Sequence, residues 1–210
     1  MLKKALLFTF SVLLMIGCAP YKEYSQRIKS PHVEERRAVV QQMRDLNKQS
    51  EKLVPILLEA CADSDQEVRI YALHALGKQD PSHPGVPQTL LMALRDTSLE
   101  IRRAAVAAVS TCNPFPNVCL PDLVDMLTDE DPMIRKFTES TFLGLGSLVI
   151  SPLVRHLDDE NPDTRLAIVM LLGKIGPEAK RALGVLIRMS REDEDLRVRE
   201  AAERSVEFIR

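Results

Sequence analysis

The strongest constraint on this chain is a recurring pair of opposite charges. An Asp followed six residues later by an Arg appears five times, as Asp63/Arg69, Asp96/Arg102, Asp129/Arg135, Asp159/Arg165 and Asp193/Arg199. The pairs recur at a nearly constant interval, in segments such as SDQEVRIYALHALG and TSLEIRRAAVAAVS. That interval falls in the range that marks a chain built by stacking one supersecondary unit, each copy burying its apolar face against the next.

Each unit reads as two helices. The first carries apolar or small residues on one helical face, as in Val68, Ala72, Ala75, Leu76 and in Ile101, Ala105, Ala108, Val109. The second is apolar in pairs (Leu90, Leu91, Leu94; Leu123, Val124, Leu127; Leu153, Val154, Leu157), with Pro55, Pro87, Pro121 and Pro152 near its start, where a missing N–H costs little. With 45% hydrophobic residues, only 4% aromatics, 8 Gly and no Trp, the composition is that of helices packed through aliphatic and small side chains. A formal net charge of -2 is too near zero for a protein that must neutralise several phosphates, so no nucleic-acid partner is expected.

The spacing, the Asp/Arg pairs and the Leu-Gly steps at 76–77 and 172–173 resemble HEAT repeats, in particular the short bacterial kind also found in phycobilisome lyases. The resemblance implies an all-α fold: an α-solenoid of stacked helical hairpins over residues 31–210, with about five units and a C-terminal half repeat. It also implies a structural role for the ladder, with each Asp capping the following helix and each Arg bonding across the turn to a neighbouring repeat. The first unit, His32 to Asp63, has Glu34 and Glu35 where Arg would stand, which predicts an atypical N-terminal cap. Unit four places Thr138 and Thr141 at the small positions, and Glu200, Glu203, Arg204 and Glu207 supply a polar outer side to the last helix.

In HEAT solenoids the second helices line the concave face. Aligning them by their Leu pairs places Glu59, Met92, Asp125, Arg155 and, allowing one extra residue, Arg188 at one point of successive units. The result is a candidate protein-binding groove, acidic or neutral at one end and basic at the other, where Lys180, Arg181 and Arg191 add charge. Met92 and Met126 favour adaptable contacts.

Other chemistry has no evident carrier. The acidic turns (Asp63, Asp65, Glu67; Asp129, Glu130, Asp131) lack the Gly and the closing bidentate Glu of a calcium loop, and helix first turns explain them without a metal. His32, His74, His83 and His156 have no zinc spacing, no Ser or Cys sits in a nucleophile elbow, and no Gly-rich phosphate loop is present. Neither a metal nor a cofactor is expected, and no catalytic residue is assigned. Cys112 and Cys119 bracket NPFPNV in the third unit, and a disulfide closing that turn is expected in an oxidising compartment. Cys61 reads as a buried thiol.

The compartment comes from the N-terminus. Lys3 and Lys4 precede an uncharged stretch from Ala5 to Gly17, about 20 Å long as a helix and so too short to span a membrane stably. It reads as a signal segment over residues 1–17. Met15, Ile16, Gly17 and Cys18 resemble the lipobox of bacterial lipoproteins, with Met as a departure at the first position. That resemblance implies cleavage before Cys18, lipidation of its thiol, and a membrane anchor made of several acyl chains. Ala19 resembles outer-membrane sorting in Gram-negative bacteria. Loss of residues 1–17 removes two Lys and no acid, leaving a body of formal charge -4. Residues 18–30 then form a tether, or an early helical turn, reaching about 40 Å at most.

The sequence therefore predicts a lipid-anchored envelope protein that binds another protein as a scaffold or assembly factor. A lyase-type HEAT enzyme, against which the export signal counts, and a purely structural envelope protein are the alternatives. Cys18→Ala is expected to leave the chain unprocessed and without palmitate in metabolic labelling; label persisting in that variant contradicts the lipobox reading.

Overall fold

The computed structural model describes residues 21–46 and 50–210, so the signal segment and Cys18 lie outside the described residues. Among the described residues twelve α-helices follow one another: α1 Tyr21–Arg27, α2 Val33–Asp45, α3 Val54–Ala60, α4 Gln66–Leu76, α5 Gly85–Leu94, α6 Leu99–Thr111, α7 Leu120–Asp125, α8 Pro132–Leu145, α9 Ile150–Arg155, α10 Pro162–Ile175, α11 Leu183–Glu192 and α12 Leu196–Ile209. Among the described residues there is no strand. The first helices α2, α4, α6, α8, α10 and α12 stack in sequence as one layer, and α3, α5, α7, α9 and α11 form the other. This gives five hairpins and a final half repeat.

One core runs from Tyr24 to Ile209. The small positions of the first helices set its thickness: Ala72, Ala75, Ala105, Ala108 and Ala202 are buried. Where two first helices approach most closely, even a methyl group is too much. A Cβ on Gly77 would lie 2.5 Å from the Ala108 carbonyl oxygen, and one on Gly173 would lie 2.6 Å from Ser205 Oγ. The two Leu-Gly steps are therefore packing sites between α4 and α6 and between α10 and α12. Unit four departs from the pattern. Thr141 donates its hydroxyl to the Phe137 carbonyl at 2.8 Å, but Thr138, fully buried where Ala72, Ala105 and Ala202 stand in other units, has an Oγ1 with no partner among the described residues.

Within the stretch read as a tether or an early helical turn, Tyr21–Arg27 is helical. Helix α1 docks on α2, burying Tyr24 and Ile28, and the Tyr21 hydroxyl accepts from Ser50 Oγ at 2.9 Å. The stretch Pro132–Arg155 is long and apolar enough to cross a membrane by length and composition alone. Gly146, at φ 54°, divides it into α8 and a 3-10 turn leading to α9.

The Asp/Arg ladder works differently from the arrangement that the resemblance implied. In α4, α8, α10 and α12 the capping side chain belongs to the residue two positions after the ladder Asp. Asp65 accepts from the Val68 amide, Asp131 from Met133 and Ile134, Asn161 from Asp163, and Asp195 from Arg197. The ladder Asp instead accepts the backbone N–H of that cap residue, at 2.7–3.0 Å, in all five turns. This Asx turn fixes the bend that the cap then closes. Six residues on, each ladder Arg donates Nη1 to two carbonyls of its own turn, as Arg165 does to Asp159 and Glu160. The other edge of the guanidinium reaches the ladder Asp of the following repeat: Arg102 takes Asp129, and Arg165 takes both oxygens of Asp193 at 3.0 and 2.8 Å. Among the described residues, Arg69, Arg135 and Arg199 make only the backbone half.

The first unit is also more regular than Glu34 and Glu35 indicated. Arg36 holds the ladder position, one repeat period before Arg69, with Nη1 on the Ser30 carbonyl and its other edge bidentate on Asp63 at 2.8 and 2.9 Å. Ser30 stands in for the ladder Asp, its Oγ accepting from the His32 amide. A second, parallel set joins Arg37 to Asp65 and Arg103 to Asp131, so the caps themselves are tied to the preceding repeat.

These contacts hold several carboxylates below their usual range. The Arg37 guanidinium brings Asp65 to about 2, Arg197 brings Asp195 to about 2, and Arg103 and Arg165 lower Asp131 and Asp193. Burial opposes the shift at Asp63, where the Arg36 bonds and the Asp65 amide still prevail. Because the folded values lie below the ordinary ~3.9, the stabilisation is complete above that value and is lost as pH falls through the folded values. Thermal midpoints followed by circular dichroism are expected to fall most steeply between about pH 4 and pH 2. A midpoint that stays level through this window would show that the ladder does not stabilise the fold.

Candidate binding surface

With the charges of the first helices engaged in the turns, the second helices present a different surface. Glu59 on α3, Met92 on α5, Asp125 on α7, Arg155 on α9 and Arg188 on α11 are all exposed, one per successive unit. Glu59 is 3.6 Å from Lys29 Nζ. Burial, together with Asp122 and Asp159, raises the Asp125 carboxyl above its usual value, partly offset by His156 and Arg95. Arg155 and Arg188 make no ion pair among the described residues.

A cleft in this surface lies beside Met92. Pro84, Pro87, Leu91, Met92, Arg95 and Val118 line a shallow cleft of about 430 Å³, mostly apolar, between α5 and the 3-10 turn Asn117–Cys119. Met92 is 70% exposed and Val118 58%, both large apolar side chains left in water. Arg95 closes one side by pairing with the buried Asp122 of the next unit. Arg95, Asp122 and Val118 were not among the predicted site residues. Arg95 and Asp122 are separated by the same interval as the ladder's own cross-repeat bonds, so this pair was detectable by spacing. Met126 contributes less than expected, being half-buried in the turn Met126–Thr128.

Cys112 and Cys119 are both buried and carry thiols in this structure. Cys112 Sγ donates to the Ala108 carbonyl at 3.4 Å, and Cys119 Sγ to the Pro87 carbonyl at 3.9 Å. Burial pushes Cys112 up to about 11 and Cys119 to about 12, and Cys112 adds to the shift at Cys119. Cys61 is half-buried at the end of α3, its thiol pushed up to about 12 by burial. No group of three or more His, Cys, Asp or Glu among the described residues is arranged to hold a metal ion.

Comparison with known proteins agrees with this architecture. A model of HEAT repeats matches residues 22–110 and again 120–207. No curated protein matches significantly. Among solved structures, an engineered protein is similar at 17% identity and TM-score 0.53, covering 91% of this chain and 97% of that one. A designed armadillo repeat protein in complex with the peptide (KR)4 is similar at 18% identity and TM-score 0.52, covering 91% and 100%. The E. coli protein YibA is similar at 19% and 0.53, covering 92% and 72%. At such identities the likeness is one of fold. The family match spans most of the chain, which therefore belongs to the HEAT-repeat family.

Proposed function

We propose that this protein is a non-catalytic scaffold or assembly factor that holds another protein against its second-helix face, anchored to a membrane of the cell envelope through lipidated Cys18. The observation that carries the reading is the division of labour between the two layers. The ladder arginines of the first helices are spent on turns and neighbouring repeats, whereas Met92 and Val118 are exposed, and Arg155 and Arg188 are exposed without an ion pair among the described residues. Large apolar side chains left in water beside a cleft are a usual feature of interaction sites. The designed armadillo protein bound to (KR)4 supports the reading, because a solenoid of related fold accommodates a peptide.

The anchor and the envelope location rest on the lipobox-like Met15–Cys18 and the short apolar stretch before it. If the organism is Gram-negative, Ala19 favours the periplasmic face of the outer membrane. There an oxidising environment would join Cys112 to Cys119. Thiol titration of the denatured, envelope-derived protein is then expected to find one reactive cysteine, Cys61; finding three contradicts the disulfide.

Photocrosslinking in cells from Met92 and Arg155, with mass spectrometry of the adducts, tests the scaffold reading. One dominant protein captured from both positions is expected. Capture only from the acidic turn edge, at Glu130, would move the binding site to the ridge of turns and overturn the assignment.

A further inference from the structure

The distribution of unpaired cations defines a more specific surface. Every arginine of the first helices from Arg36 to Arg199 is bonded to a carboxylate or to turn carbonyls. On the second helices of the last two units the opposite holds. Arg155, Lys180, Arg181, Arg188 and Arg191 are exposed, and among the described residues none makes an ion pair or a side-chain hydrogen bond. Residues 176–192 carry four cations against two acids, Glu178 and Glu192, neither of which pairs with them.

The placement is regular. Leu148 and Arg181, Ser151 and Gly184, and Arg155 and Arg188 are each separated by one and the same repeat interval, so they occupy matching points of α9, α11 and their lead-in turns; Asp158, the same interval before Arg191, lies in the turn just after α9. Along α11, Gly184, Arg188 and Arg191 follow at i, i+4 and i+7, which puts them on one face. A Cβ at Gly184 would meet nothing within 4 Å, so the backbone lies bare between Arg181 and Arg188. Leu148, 75% exposed, adds an apolar contact at the edge of the same surface.

We propose that this surface, spanning α9 and α11, binds an acidic, extended segment of the partner protein. The inference rests on the scaffold reading above and specifies the chemistry of its client. Neighbouring helix layers lie about 10 Å apart, and a chain in the extended polyproline II form has three residues per turn and advances about 3.1 Å per residue, so acidic side chains three residues apart share one face at about the step from Arg155 to Arg188. A bound acidic chain would supply the carboxylates that these cations lack within the fold. The exposed Leu148 and the acids Asp158, Glu178 and Glu192 around the cations favour a mixed acidic and apolar peptide over a uniform phosphate backbone or a lipid surface. Exposed pairs are individually weak and screened by salt, so the affinity depends on several acting together and on ionic strength.

The test is fluorescence anisotropy of a labelled peptide of four Glu-Glu-Leu triplets titrated with the full-length chain. Saturable binding that weakens as salt rises from about 50 to about 200 mM is expected. The double variant Arg188→Glu/Arg191→Glu should lose about tenfold or more in affinity. Arg188→Gln/Arg191→Gln should lose less, since it removes attraction without adding repulsion. Arg204→Glu, at an equally exposed and unpaired cation on α12, should bind as the parent does, and thermal melts check that every variant is folded. The proposal is overturned if the peptide does not bind at low salt, if Arg204→Glu weakens it as much as the double variant, or if phosphatidylserine vesicles or single-stranded DNA bind this surface in preference to the peptide. Loss of peptide binding with crosslinking from Met92 intact removes this inference alone; loss of both removes the scaffold reading as well.

Discussion

The structure depends on how one guanidinium is divided between two repeats. In Arg36, Arg102 and Arg165 one nitrogen satisfies carbonyls of the arginine's own turn, and the opposite edge takes the carboxylate of the next turn. The planar fork makes this possible, whereas an ammonium group could not hold both sites in fixed geometry. The pairs are largely withdrawn from water: the side chains of Arg165 and Asp193 are 13% and 6% exposed. Desolvation at that depth is costly, and the carboxylate is compensated by two guanidinium bonds and one from the Asp195 amide. Losing one partner would leave a buried charge unmatched. The clamp therefore fixes the spacing of α2 and α4, of α6 and α8 and of α10 and α12, and that spacing bears on which side chains the second helices present.

The allocation of charge follows from this. A solenoid contacts only neighbouring repeats, so every turn needs its own fastening, and the first-helix layer uses its arginines for that purpose. The second-helix layer is held chiefly by apolar burial through residues such as Leu57, Leu90, Leu123, Leu153 and Leu186. Its polar side chains are free to vary from unit to unit, giving an apolar cleft at Met92, an acidic stretch around Asp125 and a cationic end at Arg155 and Arg188. A surface of changing chemistry on a regular frame suits recognition of an elongated partner.

The frame is legible in the sequence because its fastening is written in residues of restricted chemistry. The Asp/Arg interval and the small residues at Ala72 and Ala105 identify unit, period and helix pair. The details that escape are those in which a different residue performs the same task. Ser30 replaces Asp in the first turn, so Arg36 lacks its usual partner in the pattern and Glu34 and Glu35 draw the eye instead, although Arg36 lies one full period before Arg69. The ladder Asp reads as a cap because Asp residues lie two apart in several turns, and only hydrogen-bond geometry separates the Asx turn from the cap. The cleft at Met92 depends on the 3-10 turn that brings Val118 beside α5, a tertiary contact without a local signal.

The cross-repeat arginine clamp should couple adjacent units energetically. A double-mutant cycle on Arg165 and Asp193, with Arg165→Met, Asp193→Asn and the combined variant unfolded in urea, measures that coupling directly. The account predicts a favourable interaction of about 1.5–3 kcal/mol, the range for hydrogen bonds to charged groups. A coupling indistinguishable from zero, with the single variants adding independently, would show that apolar packing alone sets the stack and would contradict the account.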